Sequence, residues 1–281
     1  MYGLLIVPPV QDVAKGAAAL AQAIGGTPYD QRQPLLRNLP FIARWNADAA
    51  VIRALAQPLV QAGVPAWPIA RAALDVGPEV FSVRQFRFDA AGMAVASRQT
   101  QAQFRWDDVA LVLPCRADSG EATTTTTTTQ KQSLVRLAMG VPIATKKVEV
   151  ESERTTDHAF FCLLWVRASQ PGGVELIVRF ASEGMDFTGL GAAMTGSATA
   201  NYLAVLQRIQ AAVGAKWDSR LERAGGKIVP ISSPPSQSKA APDRKTTVQT
   251  VASAWDTESG VMQAARLLMV AVRLRGAGTG K

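Results

Sequence analysis

Residues 159–168, AFFCLLWVRA, and 173–180, GVELIVRF, with the helix-patterned run that follows to Val213, decide the fold of this 281-residue chain. In the second stretch Val174, Leu176, Val178 and Phe180 alternate with other residues, the period-two signature of a half-buried strand. From Tyr202 through Leu206, Ile209 and Val213 the spacing becomes three and four, which places these side chains on one helical face. Neither a lone hairpin nor a lone helix can bury its apolar face. The pattern therefore predicts a helix closing over this hairpin, with Leu206 and Ile209 against Val174, Leu176 and Val178.

Working outward, the length suggests roughly two domains, with enough chain to bury a core without disulfides or metal. Hydrophobic residues make up 48% and charged residues 19%, a globular composition far from that of disordered chains. The two cysteines, Cys115 and Cys162, each fall in an apolar strand pattern, which excludes a disulfide scaffold. The opening MYGLLIVPPV lacks a basic region and its apolar run is short for a secretory signal. With no long uninterrupted apolar stretch, a transmembrane helix is not expected. The expected location is cytoplasmic. Net charge is +8, and five of the excess positive charges lie between Ala224 and Lys281. They are scattered, with Trp255 as the aromatic residue among them, whereas nucleic-acid binding favours a basic stripe with interleaved aromatics.

Upstream, Tyr2 to Val7 reads as a strand ended by Pro8 and Pro9, and Val13 or Ala14, Ala17, Ala21 and Ile24 follow helical spacing up to Gly25-Gly26. Thr27, Pro28 and Asp30 are favoured at a helix start. Pro34 and Pro40 limit this second helix. Phe41 to Trp45 reads as a strand. Asn46 or Asp48 caps a third helix with Val51, Leu55 and Leu59 inward, Pro58 kinking or ending it, and Val64 to Ala70 completes the set. The run LAQAIGGTPYDQRQPLLRNLPFIARWNADAAVIRALAQPLVQAGVPAWPI resembles the C-terminal domain of the bacterial ribosomal stalk protein over residues 1–72. The resemblance implies a compact two-layer βααβαβ domain and carries no functional residue, since the lysine-rich helical face of that family is missing.

From Pro78 the texture changes to short strands with tight turns: Phe81–Phe88, Met93–Ser97, Phe104 with Trp106, and Val109–Leu113. These patterns indicate an antiparallel meander. A parity change at Arg84-Gln85 reads as a bulge. The run SGEATTTTTTTQK, residues 119–131, has no apolar alternation and reads as a solvated loop or linker. Leu134 to Met139 reads as a brief turn, and Lys147 to Glu151 alternates cleanly into the hairpin above. Strands and closing helix over residues 78–214 resemble the pleckstrin-homology-like superfold, which implies a bent sheet capped by its last helix and a role in binding peptides, proteins or lipid headgroups. Residues 229–241, VPISSPPSQSKAA, read as a linker. A C-terminal helix follows with Val261, Ala265, Leu268 and Val272 on one face, preceded by a cap at Asp256.

The fold class expected is thus α+β: a two-layer domain at 1–76, an antiparallel β domain at 78–223 with the threonine-rich insertion, and a linker and helix at 224–281. The single histidine, His158, excludes sites built on several imidazoles, and its spacing of four from Cys162 on a strand holds the two about 13 Å apart. GLGAAMTG at 189–196 departs from the dinucleotide fingerprint because Met194 stands at its third glycine, and GAGTGK at 276–281 is one residue short of a phosphate loop. Asp107-Asp108 reads as turn chemistry, and Glu149, Glu151 and Glu153 as a solvated strand face. No catalytic, cofactor-binding or metal-ligating residue is assigned. The leading expectation is a non-enzymatic binding or adaptor module with a protein partner. The alternatives are a hydrolase or transferase with an acidic site, and a weak nucleic-acid or membrane-surface binder acting through the basic tail.

Overall fold

The computed structural model describes residues 1–75, 78–132, 144–168, 174–224, 228, 231–232, 236–243 and 246–278. The protein is α+β, with mixed and antiparallel sheets. It folds as two compact units. One comprises Met1–Arg116, Ala159–Ile228 and Gly260–Lys281; the other comprises Ala117–His158 and Val229–Ser259.

In the first unit, β1 (Tyr2–Ile6) is the central strand of a three-stranded antiparallel sheet, between β2 (Phe41–Asn46) and β3 (Ala66–Ala70). Its run of apolar residues is explained by burial on both faces. Leu4 and Ile6 meet α1 (Val13–Ile24), α2 (Pro28–Leu36) and α3 (Ala49–Gln61), where Leu20, Leu35, Ile52 and Leu59 complete the core. The capping box of Thr27 and Asp30 and the Asp48 cap form as the sequence suggests. The inner face of α3 is Ile52, Ala56 and Leu59; Val51 is exposed, and Pro58 sits within a helix that continues to Gln61. Leu5 and Val7 point the other way, with Ile69, onto Leu267, Val270 and Ala271 of the C-terminal helix Glu258–Gly278. Burying each of these Val, Leu and Ile side chains contributes about 1.5–3 kcal/mol. The expected two-layer domain is therefore a three-layer arrangement. Its third layer is the helix that the sequence presented as an appendage, so the compact unit does not end at residue 76.

That helix is buried nearly all round: Val261, Ala264, Ala265, Leu267, Leu268, Met269, Val270 and Ala271 all belong to the core. Its arginines are engaged too. Arg273 pairs with Glu175 and lies 4.8 Å above the Trp165 ring, and Arg275 stacks on Trp67 at 5.8 Å. The Asp256 cap forms, accepting from Glu258 N at 2.8 Å.

The expected strand Phe81–Phe88 is instead two strands in different sheets. β4 (Val80–Ser82) pairs parallel with β10 (Leu176–Ala181), whereas β5 (Gln85–Phe88) pairs antiparallel with β6 (Gly92–Ala96), which pairs with β7 (Gln101–Arg105). The parity change is the chain switching sheets, with no bulge. The helix Ala198–Val213 then closes the core as predicted in kind, through Tyr202, Val205, Ile209 and Val213 against Cys162, Leu164, Val178 and Phe180 and against Phe86, Met93, Val95 and Phe104 of the meander. Two details differ. Val205 occupies the place expected of Leu206, which is only partly buried, and Val174 lies before β10, 84% exposed. From β10, Val178 and Phe180 belong to this core and Leu176 packs against it, while Ile177 is buried on the other face of the strand.

The second unit is an antiparallel sheet. β8 (Val109–Gln132) and β9 (Ala144–Val166) each contribute a length to both units. In the second unit β8 lies between β9 and β13 (Thr246–Asp256), and β13 also pairs with β11 (Ile231–Ser232) and β12 (Ser236–Asp243). Two expectations are corrected here. The threonine run is strand, every residue from Ser119 to Thr129 facing one of Asp256 to Thr246, and part of the proline- and serine-rich segment at 229–241 is strand as well. Threonine is β-branched and stiff at χ1, so a run of it suits an extended ladder once a partner strand satisfies the backbone. The turn expected at Leu134–Met139 lies outside the described residues.

Candidate protein-binding edge

Three side-chain contacts fix how β8 meets β9 in the second unit. Asp118 Oδ1 lies 2.8 Å from His158 Nδ1, Thr155 Oγ1 donates to Glu121 O at 3.5 Å, and the Thr124 and Ser152 hydroxyls are 3.5 Å apart. Each step forward on one strand is a step back on the other, the signature of antiparallel register. Because side chains alternate between faces, Glu149, Glu151, Glu153 and Asp157 share a face with Glu121 and with Thr123, Thr125 and Thr127. Val148, Val150, Ser152, Arg154, Thr156 and His158 take the opposite face.

β9 has a neighbour on its second side only where β10 pairs with it, from Phe161 to Val166. Along Ala144–His158 no described strand covers that side, and residues 147–158 are exposed throughout. Val148 and Val150 are 55% and 62% exposed. In an antiparallel strand every second residue turns its N–H and C=O away from the paired neighbour, so this length presents a row of backbone donors and acceptors to an incoming chain.

At the base of the same sheet a polar cluster spans three segments. Asp118 is 7% exposed; its main-chain N–H donates to Thr257 Oγ1 at 2.7 Å, and Thr257 N–H returns a bond to Asp118 O at 2.9 Å. Asp118 thereby orients the half-exposed His158 ring. One rung along, the Trp255 indole lies over Gly120, with the Arg154 guanidinium 4.9 Å above the ring. Trp255 Nε1 is buried without a hydrogen-bond partner among the described residues.

The other sequence candidates are placed apart from one another. Burial drives the Cys115 and Cys162 thiols and the Tyr202 phenol well above their ordinary pKa values, which keeps both sulfurs protonated and inert as nucleophiles. The loop GLGAAMTG begins within a short 3₁₀ turn, Phe187–Ala193. Gly189 is required there because a β-carbon would meet Phe86 O at 2.0 Å, a packing reason for the glycine. Gly276 to Gly278 end the C-terminal helix, and the rest of GAGTGK lies outside the described residues. Asp108 accepts from Arg105 N at 3.3 Å and Asp107 forms an exposed ion pair with Arg105, turn chemistry as read. The glutamates stand on the open strand, Glu149 paired with Lys147. Among the described residues no group of three or more His, Cys, Asp or Glu side chains is arranged to hold a metal ion.

Sequence reasoning missed Asp118, Trp255 and the edge itself. The signal was the alternation from Lys147 to Glu151, whose partner strand was hidden in the threonine run. Elsewhere, a shallow groove of about 470 Å³ lies on the outer face of β5–β7, lined by Gln85, Arg87, Ala94, Ala96, Gln101 and Gln103. No helix among the described residues is long and apolar enough to cross a membrane. No family model matches the chain, and neither a curated protein nor a solved structure is significantly similar to it.

Proposed function

We propose that the chain is a non-enzymatic binding or adaptor module that engages a protein partner by strand addition along β9 between Ala144 and His158. The observation that carries this reading is the side of that strand that no strand among the described residues covers, a long run with exposed valines. Such an edge templates an added strand: main-chain hydrogen bonds supply affinity and alternate side chains supply specificity. The pleckstrin-homology-like reading of residues 78–214 belongs to the same proposal, supported by the meander and closing helix sharing one core. A cytoplasmic location also belongs to it, supported by two free buried cysteines. The basic tail is not the binding surface in this reading, because Arg273 and Arg275 are held on aromatic rings.

The test is selection of extended peptides from a random display library on the full chain, followed by hydrogen exchange of the bound complex. Selected peptides should slow exchange between Lys147 and Asp157. Peptides that protect the β5–β7 groove instead would contradict the proposal.

The hydrolase or transferase reading has one observation in its favour, the His158 ring oriented by a buried carboxylate. Comparing wild type with His158→Asn on activated esters addresses it. Turnover that depends on the imidazole would put the enzyme reading first.

A further inference from the structure

We propose that the segment filling this edge is an extended strand alternating basic and apolar residues, its basic side chains over Glu149, Glu151 and Glu153 and its apolar ones over Val148 and Val150. The inference rests on the strand-addition reading and names the chemistry of the partner. The acidic row does not make the site; the uncovered backbone does, and the row selects what fills it.

An added strand continues the pleat, so its side chains divide by parity between the two faces of the sheet. One parity falls beside Glu149, Glu151 and Glu153, on a face that also carries Glu121 and Asp157, with Lys147 among them. This is a local reversal of sign in a chain of net charge +8. Cross-strand neighbours of opposite charge stabilise pairing and like charges oppose it, so Lys or Arg is favoured at these positions. The other parity falls beside Val148 and Val150, exposed side chains that gain by covering with apolar ones.

A second copy of the chain fits poorly in the registers that align the two acidic rows. Antiparallel pairing of two β9 strands centred on Val150 sets Glu149 against Glu151 of the other copy, and centring on either glutamate sets it against itself. The row of acids that would repel a copy attracts a basic strand.

The experiment titrates the full chain into fluorescent peptides of one composition, alternating Lys and Val or blocked Lys followed by Val, together with an alternating Glu and Val peptide. Anisotropy and hydrogen exchange are read on each. The alternating Lys–Val peptide should bind about tenfold or more tighter than either other peptide and protect Lys147–Asp157. Its affinity should fall as salt rises. A variant carrying Glu149→Lys, Glu151→Lys and Glu153→Lys should reverse the preference toward the Glu–Val peptide, and Glu151→Gln should weaken Lys–Val binding in a minimally altered fold. Equal binding of blocked and alternating peptides would overturn the proposal, as would Lys–Val binding unchanged in the triple variant. Self-association lost in that variant would overturn it in favour of a second copy. If extended peptides of every charge protect β9 equally, the charge pattern falls and strand addition stands; if none protects it, both fall.

Discussion

The indole of Trp255 lies across Gly120, a position to which no side chain can be added: a β-carbon there would meet the ring at 2.9 Å and Thr155 O at 2.2 Å. The aromatic side chain covers the backbone where the strand has none to offer, and the glycine admits both the ring and the close approach of β9. This contact ties β13 to β8 at the base of the second unit. Gly120→Ala should therefore destabilise the unit by about 1–3 kcal/mol, the usual cost of overpacking. Urea titration followed by hydrogen exchange of the β8 and β13 amides measures it, and an unchanged midpoint would remove the contact from the account.

The closing helix supplies a graded comparison. Ile209 is fully buried and Leu206 only partly, so Ile209→Ala should cost about 2–5 kcal/mol and Leu206→Ala less. Arg208 is exposed but its guanidinium lies 5.4 Å from the Phe88 ring centroid, so Arg208→Ala should cost about 0.5–1 kcal/mol. Denaturant titrations that placed Leu206 above Ile209 would contradict the observed face of the helix.

Much of the fold was legible because its elements declare themselves locally. The caps at Thr27 and Asp48, the Gly25-Gly26 stop and the spacing of Tyr202, Ile209 and Val213 all act within a turn or two of chain. What was not legible was set by distant partners. Leu5 and Val7 call for a second cover of the N-terminal sheet, but nothing near them in sequence names the C-terminal helix as that cover. The threonine run lacks alternation because neither of its faces is deeply buried, and only β13 makes it a strand. Of the candidate site, the alternation around Glu149 was readable, whereas its standing at an uncovered edge depends on where β10 stops pairing with β9.

The third layer of the N-terminal sheet gives the next expectation. A fragment ending near residue 76 lacks Leu267, Val270 and Ala271 and leaves Leu5, Val7 and Ile69 uncovered. It should show no cooperative thermal transition, while the full chain should show one. Adding the helix back as a peptide should restore protection of β1; a fragment that melts cooperatively alone would show that the third layer is dispensable.

Acid sensitivity follows from Asp186, whose carboxyl is held below the usual carboxylate value first by the Thr188 N–H, at 2.9 Å, with the Gln85 amide as a smaller contributor. A carboxylate with a lowered folded-state pKa adds stability above its unfolded value that is lost as pH falls through the folded one. The difference in urea midpoint between wild type and Asp186→Ala should thus be present at neutral pH and shrink only below the ordinary carboxylate range. A difference that persisted undiminished at the lowest pH would assign the effect to packing.

The central claim is that β9 between Ala144 and His158 accepts an added strand, and amide exchange along that strand tests it most directly. With a saturating alternating Lys–Val peptide, every second amide from Lys147 to Asp157 should slow markedly, those already bonded to β8 changing little, with no comparable change in β5–β7. Uniform exchange along β9 with and without peptide, or protection confined to the groove over Ala94 and Ala96, would contradict the account.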